Sequence, residues 1–589
     1  MKIVSKHPLV FAVSLMAAVA AAWGCKDFLE KASEPQGTLD QGVLTNKAGV
    51  EGALIAAYRV LDCTNAERAN WGCAASNWVF GSVTSDDAYK GSEATDQPNI
   101  DDVELFHWTT GLSEDYLNAK WVAVYEGVNR ANAALRLLKQ VRTEKPGEIS
   151  DADAKGIEGE ATFLRAHYHF EAWRMWGNVP YIRDDVTDFR QANLQSAAVV
   201  TEILKDLDAA ISLLGTTPRN AQIGRATQWT AKAYKGRVQV SAGQYAAGLT
   251  TLREVRTSGP YALETSFDRV WTGFTDEANG KETIFAYQAS ANDGSNDGSN
   301  SNYGERLNFP HSGSPFGCCG FHQPSQNLVN YYRVDGAGLP LALSDPSWNS
   351  NNGNFTSTNL AAVDPRLDWT VGRDGVPYKD WGAHASGWIR APAYGGPYSP
   401  KKNAHEKASG AESKVGWNPT QLNSVNIHLF RYADLLLLLA EAEVEAGSLE
   451  NARTIVNEIR TRAGKAAQGP GTDRATIAVP MTDSRITWAT YQIGLYTTPF
   501  ANQAAARDRV RAERRLELAM EGQRFFDLRR WGIADQTLNA YIAVEKTRRI
   551  QLAGADLFAQ KHRYYPIPNI QIELSKKSGQ ATLTQNPGW

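Results

Sequence analysis

The chain has 589 residues, of which 42% are hydrophobic and 21% charged, and this composition argues against a disordered chain, a collagen and a coiled-coil rod. Its 61 basic and 64 acidic residues leave a formal net charge of −3, so the protein lacks the basic field that a nucleic-acid partner requires. The length allows three or four domains or one large fold.

The N-terminus has the pattern of an export signal. Two early lysines precede an uncharged apolar run at residues 9–23, which is shorter than the ~20 residues that span a bilayer. Small residues end the run just before Cys25, as in a bacterial lipoprotein signal. We predict that residues 1–24 are a lipoprotein signal peptide and that Cys25 is lipidated. Ordinary cleavage near Ala21 or Ala22, leaving Cys25 free, is the alternative.

Helical periodicity of apolar residues follows in four blocks. Residues 121–138 and 200–214 each predict one amphipathic helix. Residues 229–255 and 431–463 each predict a helical hairpin with a glycine-containing turn, and the second has about the 34-residue length of a tetratricopeptide repeat. Small residues where such helices cross allow close approach. We expect these hairpins to form a scaffold.

Helical periodicity fails between residues 271 and 424. This stretch is rich in glycine turns and in aromatic residues. A long irregular region inside a folded chain is usually functional, and we predict that its loops display their aromatic side chains. After it, residues 507–531 are dense in both charge signs, which predicts one further helix stabilised by ion pairs.

Four cysteines besides Cys25 are available for disulfides, as is usual in an exported chain. Cys63 and Cys73 would close a small loop, whereas the adjacent Cys318 and Cys319 would either bond each other or reach elsewhere. A zinc site is disfavoured because neither pair has CxxC spacing or a histidine cluster beside it. We therefore predict no metal site.

Enzyme signatures are missing from the sequence. It contains no GxSxG, HExxH, Walker or dinucleotide-binding motif. His167 and His169 would point about 200° apart on a helix, and the neighbouring Asp86 and Asp87 are poorly placed to flank a glycosidic bond. We predict a protein without catalytic residues or a cofactor.

Nine motifs together resemble one family. In chain order they are residues 25–30 (CKDFLE), 53–58 (ALIAAY), 160–168 (EATFLRAHY), 176–181 (WGNVPY), 324–329 (PSQNLV), 431–435 (RYADL), 514–532 (RRLELAMEGQRFFDLRRWG), 565–568 (YPIP) and 585–589 (QNPGW). In this order they resemble the RagB/SusD family of nutrient-binding outer-membrane lipoproteins of Bacteroidetes, over nearly the whole mature chain.

The resemblance implies a fold, a partner and a location. The fold is mostly α, with a tetratricopeptide-like hairpin scaffold and a large irregular, loop-rich ligand-binding region. It forms a single body over residues 25–589, with an N-terminal part at about 25–240 and a C-terminal part at about 270–589. The partner is a SusC-like TonB-dependent transporter, which the lipoprotein covers as a hinged lid. Asp27, soon after Cys25, is similar to the family's surface-export signal, so the expected location is the outer face of the outer membrane.

Sugar receptors combine flat aromatic rings with amide, carboxylate and guanidinium groups. Two segments offer both kinds of group. The first, residues 71–90, lies where the family often places the aromatic residues that contact the ligand. The second, residues 316–322, is a glycine-rich loop whose shape a disulfide would hold. The ligand-binding residues predicted from these segments are Trp71, Asn77, Trp78, Asp86, Tyr89, Phe316, Phe321 and His322. Trp348, Trp381 and Trp388 are weaker candidates. For Trp71 and Trp78, filling the core is an equal alternative.

The functional hypothesis is a cell-surface glycan-binding lipoprotein that captures oligosaccharides or polysaccharides and delivers them to the transporter. One alternative is a peptide or glycoprotein-fragment receptor of the RagB type. The other is a tetratricopeptide adaptor that binds only protein.

Overall fold

The computed structural model describes residues 44–62, 71–109, 111, 114–311, 313–354, 362–416, 419–468, 486 and 488–589. The predicted signal peptide, the predicted lipidation site Cys25 and the predicted disulfide residue Cys63 lie outside these ranges.

Sixteen α-helices occur in the described part of the chain. They are α1 (Lys47–Arg59), α2 (Pro98–Glu104), α3 (Glu114–Glu144), α4 (Asp151–Trp176), α5 (Ser196–Leu213), α6 (Gln228–Ser241), α7 (Tyr245–Ser258), α8 (Gln326–Tyr331), α9 (Leu367–Thr370), α10 (Pro392–Gly395), α11 (Tyr432–Ala446), α12 (Leu449–Gly464), α13 (Gln503–Leu518), α14 (Arg524–Arg530), α15 (Ala534–Glu545) and α16 (Asn569–Leu574). No described helix has both the length and the apolar character needed to cross a membrane.

Strands are short and few by comparison. They are β1 (Ala88–Gly91), β2 (Thr283–Tyr287), β3 (Phe321–Pro324), β4 (Val371–Gly372), β5 (Ser399–Pro400) and β6 (Ile427–Arg431). They form three two-stranded antiparallel sheets, which pair β1 with β3, β2 with β6 and β4 with β5.

The long helices stack in series as a scaffold. Helix α3 packs on α4, α4 on α5, α5 on α6, α6 on α7 and α7 on α11, which also packs on α12 and α13. Each helix buries one face against the preceding helix and another against the next, as in helical-repeat proteins. The predicted helices at 121–138 and 200–214 correspond to α3 and α5, and the prediction of a mostly helical, hairpin-based fold is confirmed.

The α6–α7 hairpin shows how the sequence produces this packing. Thr227 and Thr230 form a reciprocal capping box at the start of α6, which satisfies backbone N–H groups that have no partner inside the helix. A Cβ atom on Gly236 would collide with the side chain of Leu252 on α7. Glycine at this crossing therefore lets the two helices approach closely.

The prediction of one charged helix over residues 507–531 is wrong. Helix α13 ends at Leu518 and α14 begins at Arg524, and between them Met520 and Gly522 have φ of 64° and 67°. The turn brings the backbone N–H of Gly522 to 3.1 Å from the Ser82 Oγ that accepts its hydrogen bond. Tertiary contact with the segment around residue 82 thus outweighs the helical propensity of the sequence.

The loop-rich region between residues 271 and 424 is irregular, as predicted, but it has a hydrophobic cluster of its own. Phe309, Phe316, Tyr378, Trp388 and Ala404 are buried together, and Trp381 packs against them. The prediction that this region displays its aromatic residues is wrong for this cluster, because the loops need an apolar core to hold their shape.

A buried ion-pair network fastens the loop-rich region to the scaffold, and Glu517 on α13 is its centre. The carboxylate of Glu517 accepts hydrogen bonds from Arg431 (2.7 Å), Arg366 (3.0 Å) and Arg462. Arg431 is the last residue of β6, Arg366 lies just before α9, and Arg462 is on α12. Although burial opposes ionisation, the guanidinium groups of Arg462, Arg431 and Arg366 hold the pKa of Glu517 well below its usual range.

We predict that Glu517→Gln lowers the free energy of unfolding by about 3–5 kcal/mol, because it leaves buried guanidinium groups without their shared counter-charge. Urea denaturation monitored by tryptophan fluorescence measures this loss. Glu458→Gln is the matched control, since the partly exposed Glu458 contacts only Arg256 in the described structure and its loss should leave stability almost unchanged. Equal effects of the two substitutions would contradict the central role of Glu517.

Candidate functional site

The candidate site is a partly exposed aromatic surface where the N-terminal segment meets the loop-rich region. The rings of Trp71 and Tyr303 lie nearly parallel, with an interplanar angle of 13° and centroids 6.3 Å apart. The guanidinium carbon of Arg306 lies 4.6 Å from the Trp71 ring centroid and 4.5 Å from that of Tyr303. We call Trp71, Tyr303 and Arg306 the platform.

Three hydrogen bonds hold the two chain segments of the platform together. The buried carboxylate of Asp62 accepts from the backbone N–H of Ala75 at 3.0 Å and from that of Gly304 at 3.1 Å. The indole N–H of Trp78 donates to the carbonyl oxygen of Gly304 at 3.2 Å. Residues 71–78 and 303–306 are therefore fixed relative to each other, although more than two hundred residues separate them in the sequence.

Below the platform, Glu305 is fully buried in a polar network. Its carboxylate accepts hydrogen bonds from Ser76, from Asn308 at 2.8 Å and from Asn403 at 2.9 Å. Burial raises the pKa of Glu305 to about 7, against the lowering effect of these donors. The network leaves Ser76 and Asn403 partly exposed, so it adds hydroxyl and amide groups beside the aromatic rings.

A disulfide between the adjacent Cys318 and Cys319 lies in the neighbouring loop. The side-chain amide of Gln421 donates to the Cys318 carbonyl and lies 3.8 Å from Cys319 Sγ. The N–H of Phe321 donates to the carbonyl of Leu307, the residue after Arg306, at 3.1 Å. The disulfide loop is thus connected to the platform through the backbone. Cys73 is also disulfide-bonded.

Most predicted ligand residues of the first segment have structural roles. Trp78 and Tyr89 have no exposed surface, and Tyr89 donates its hydroxyl hydrogen to Glu545 at 2.5 Å. Asp86 is buried, and burial raises its pKa, but Arg515 and Arg524 outweigh this effect and lower it overall. Asn77 is also buried, and its amide donates to Glu171 at 2.8 Å. The assignment of these four residues to a ligand surface is corrected, because the surrounding protein encloses them.

The same correction applies to the second segment. Phe316 and Phe321 are buried, and Phe316 packs against the Trp381 ring at 4.9 Å. His322 is buried as well, its pKa is lowered by burial to about 3, and neither ring nitrogen has a hydrogen-bond partner among the described residues. The His322 ring packs against that of Trp78, with centroids 5.6 Å apart, and does not reach the surface.

The structure nevertheless brings the two predicted segments together. Strand β1 pairs with β3, so that Gly91 lies opposite Phe321. The Trp78 ring lies 6.3 Å from that of Phe321 and 5.6 Å from that of His322, measured between centroids. The two predicted segments are therefore packed against each other next to the platform. Of the eight predicted residues, only Trp71 is partly exposed.

The weaker tryptophan candidates are divided between surface and core. Trp388 is buried, whereas Trp348 and Trp381 are partly exposed. Trp348 packs edge-on against Tyr331 at 5.7 Å, and the indole N–H of Trp381 donates to the His405 carbonyl at 2.9 Å. None of the three belongs to the platform.

Sequence reasoning missed Arg306 and the pairing of Trp71 with Tyr303. Tyr303 was visible only as one of many aromatic residues in the loop-rich region, and Arg306 carried no motif. Their proximity depends on long-range pairing of residues 62 and 304, for which a single sequence has no local signal.

A second concave surface lies away from the platform, between α3, residues 180–191 and α16. Its volume is about 610 Å³, and its lining includes Trp121, Tyr125 and Phe189. The Phe189 side chain is 71% exposed. None of the predicted ligand residues lines this groove, which makes it a useful comparison for binding experiments.

The arrangement of the platform suits a ligand that has apolar faces and a polar rim. Flat rings can pack against the apolar C–H faces of a ligand while guanidinium, amide and hydroxyl groups hydrogen-bond its polar rim. Within the described ranges, no group of three or more His, Cys, Asp or Glu side chains is placed to hold a metal ion.

Comparisons with known proteins agree on one family. A sequence model of the SusD family matches residues 281–589, and a model described as "Starch-binding associating with outer membrane" matches residues 27–240. A SusD-like protein of Formosa agariphila is 25% identical over 477 residues, which cover 79% of this chain and 81% of that protein.

Solved structures share the fold. A SusD superfamily protein from Bacteroides vulgatus aligns with a TM-score of 0.66 at 20% identity, covering 92% of this chain and 99% of the other. Surface glycan-binding protein A from Bacteroides thetaiotaomicron, solved in complex with laminarihexaose, aligns with a TM-score of 0.62 at 19% identity over the same shares of the two chains.

Trp78 and Trp71 should respond differently to truncation. We predict that Trp78→Ala lowers the free energy of unfolding by about 3–5 kcal/mol, because it empties a fully enclosed site, whereas Trp71→Ala lowers it by about 1 kcal/mol. Urea denaturation of both variants gives the comparison. An equally large loss in Trp71→Ala would identify Trp71 as a core residue and remove it from the platform.

Glu305 should make stability depend on pH. Its pKa in the folded protein lies above the usual 4.5, so its contribution to stability is complete at low pH and is lost as pH rises through about 7. We predict that Glu305→Gln gains stability relative to the wild type between pH 4 and 8, by at most about 3 kcal/mol. Denaturation at several pH values tests this, with the exposed Glu573→Gln as control. A constant difference between wild type and Glu305→Gln would show that folding does not raise the pKa of Glu305.

Proposed function

The chain belongs to the SusD family, and from this premise we propose that it is a lipid-anchored, cell-surface protein that captures oligosaccharides or polysaccharides. We further propose that it delivers them to a SusC-like TonB-dependent transporter in the outer membrane. It binds its ligand without cleaving it.

The observation that carries this proposal is the platform. Trp71 and Tyr303 present nearly parallel, partly exposed rings, and the Arg306 guanidinium lies over one face of each. Sugar rings have apolar faces and a rim of hydroxyl groups, and aromatic and guanidinium groups complement these two features. A protein of the same fold was solved in complex with laminarihexaose, which supports a glycan as the class of ligand.

The proposed location and partner rest on different observations. The family model that matches residues 27–240 is described as associating with the outer membrane, and the N-terminal sequence predicts lipidation at Cys25. A lipid-anchored capture protein needs a transporter to move its ligand across the membrane. Co-purification from native membranes with a TonB-dependent barrel tests the partnership, and an abundant partner of another kind would favour the adaptor hypothesis.

The first experiment is calorimetric titration of the protein starting at residue 26 against β-glucans, including laminarihexaose, against starch oligosaccharides and host glycans, and against peptides. Each mixture is then analysed for cleavage products. Saturable binding of a glycan that remains intact is the expected result. Binding of peptides alone would support a peptide receptor, and cleavage would overturn the assignment as a binding protein.

Substitutions locate the site once a glycan has been found. We predict that Trp71→Ala and Arg306→Ala each weaken glycan binding at least about tenfold, because they remove a stacking face and a hydrogen-bond donor. Phe189→Ala is the matched control, since it removes an exposed aromatic side chain from the groove instead. Loss of binding in Phe189→Ala with normal binding in Trp71→Ala would place the site in the groove.

A further inference from the structure

A small cavity lined by arginine residues lies between the two parts of the chain. Its volume is about 30 Å³, and it is bordered by α4, α6, α11, α13 and α14, with Gln523 between the last two helices. The arginines that line it are Arg174, Arg237, Arg514, Arg529 and Arg530. Helices α4 and α6 belong to the N-terminal part of the chain, which one family model matches over residues 27–240. The other three helices belong to the C-terminal part, which the second model matches over residues 281–589.

Acidic groups do not balance these arginines. In the described structure, the carboxylates in ion-pair contact with the five arginines are those of Glu171, Asp434, Asp527 and Glu441. Five guanidinium groups thus face four carboxylates. Glu171 also lies 4.0 Å from Lys120, so part of its charge compensates another cation. The lining therefore has at least one positive charge in excess.

Arg529 is the arginine without a carboxylate partner among the described residues. Its side chain is buried, and one guanidinium N–H donates to the backbone carbonyl of Arg174. The other terminal nitrogen, Nη1, has no hydrogen-bond acceptor in the described structure. Three aromatic rings also contact the guanidinium group, among them Tyr564 at 4.5 Å, and Arg174 and Arg563 add positive charge nearby. Burial lowers the pKa of Arg529 to about 10, which still leaves it charged at neutral pH.

The contacts of Gln523 indicate the same shortage of negative charge around the cavity. Its side-chain oxygen accepts hydrogen bonds from both Arg174 at 2.9 Å and Arg237 at 3.2 Å. One neutral oxygen therefore serves two guanidinium groups. Buried charges in proteins are normally paired with an opposite charge, so an anion in the cavity would supply what the protein side chains do not.

The volume limits what this anion can be. A single water molecule needs about 10–15 Å³ of such space, so the cavity of about 30 Å³ accommodates a monatomic ion. The rest of the lining consists of Phe170, Trp173, Ser241, Leu438, Phe526 and Asp527, and the carboxylate of Asp527 is already paired with Arg514 and Arg530. We propose that the cavity is a binding site for one halide ion, chloride in the native environment, which joins the N-terminal and C-terminal parts of the scaffold.

Crystals of the mature protein soaked in sodium bromide test the site directly. The expected result is an anomalous bromine peak inside the cavity, within hydrogen-bonding distance of Arg529 Nη1. Density for water alone in the cavity, with bromide elsewhere or nowhere, would overturn the proposal.

Thermal unfolding tests whether the ion acts in solution. At constant ionic strength, replacing gluconate by chloride or bromide should raise the Tm saturably by a few degrees. Arg529→Gln should abolish this halide-dependent shift, whereas Arg253→Gln, which removes a half-exposed arginine on α7, should retain it. If Arg529→Gln does not fold, the test rests on the wild-type protein, which must show both the bromide peak in the cavity and the halide-dependent rise in Tm. A bromide peak without any halide dependence of the wild-type Tm would mean binding at crystal concentration only and would also overturn the proposal.

Discussion

The buried carboxylate of Glu517 is the constraint on which the rest of the fold depends. It is hydrogen-bonded to arginines from β6, from α12 and from the segment before α9. Arg366 also contacts Glu513, one turn earlier on α13, at 2.7 Å. Helix α13 therefore presents two acidic groups to the loop-rich region, and a region with little regular secondary structure obtains a fixed orientation from charge pairing in a low-dielectric interior.

Local sequence patterns predict the scaffold well because each helix is specified by its own residues. The apolar spacing in residues 431–463 and the glycine near its middle correspond to α11, α12 and the turn between them. The break between α13 and α14 could not be predicted in this way. It depends on Gly522 meeting Ser82 across the molecule, and the intervening charged sequence is compatible with a continuous helix.

The candidate site was predicted only in part, for a similar reason. The sequence identifies segments rich in aromatic and polar residues, and β1 and β3 do bring them together. It does not distinguish Trp71, which is partly exposed, from Trp78, which is enclosed seven residues later. Exposure is decided by residues 303–306 and 321–322, which cover Trp78 and leave Trp71 at the edge. The positions of Tyr303 and Arg306 beside Trp71 depend on the same long-range contact.

The bonds that support the platform also have consequences for how the chain reaches its native state. Asp86 pairs with Arg524, Tyr89 with Glu545 and Thr84 with Tyr565, across 438, 456 and 481 residues respectively. Contacts of such large sequence separation form slowly, because the intervening chain must first be ordered. Residues 84–89 therefore acquire these native partners only after the C-terminal helices have been synthesised. A chain truncated before residue 545 would keep Arg524 but would lack Glu545 and Tyr565, and with them the partners of Tyr89 and Thr84.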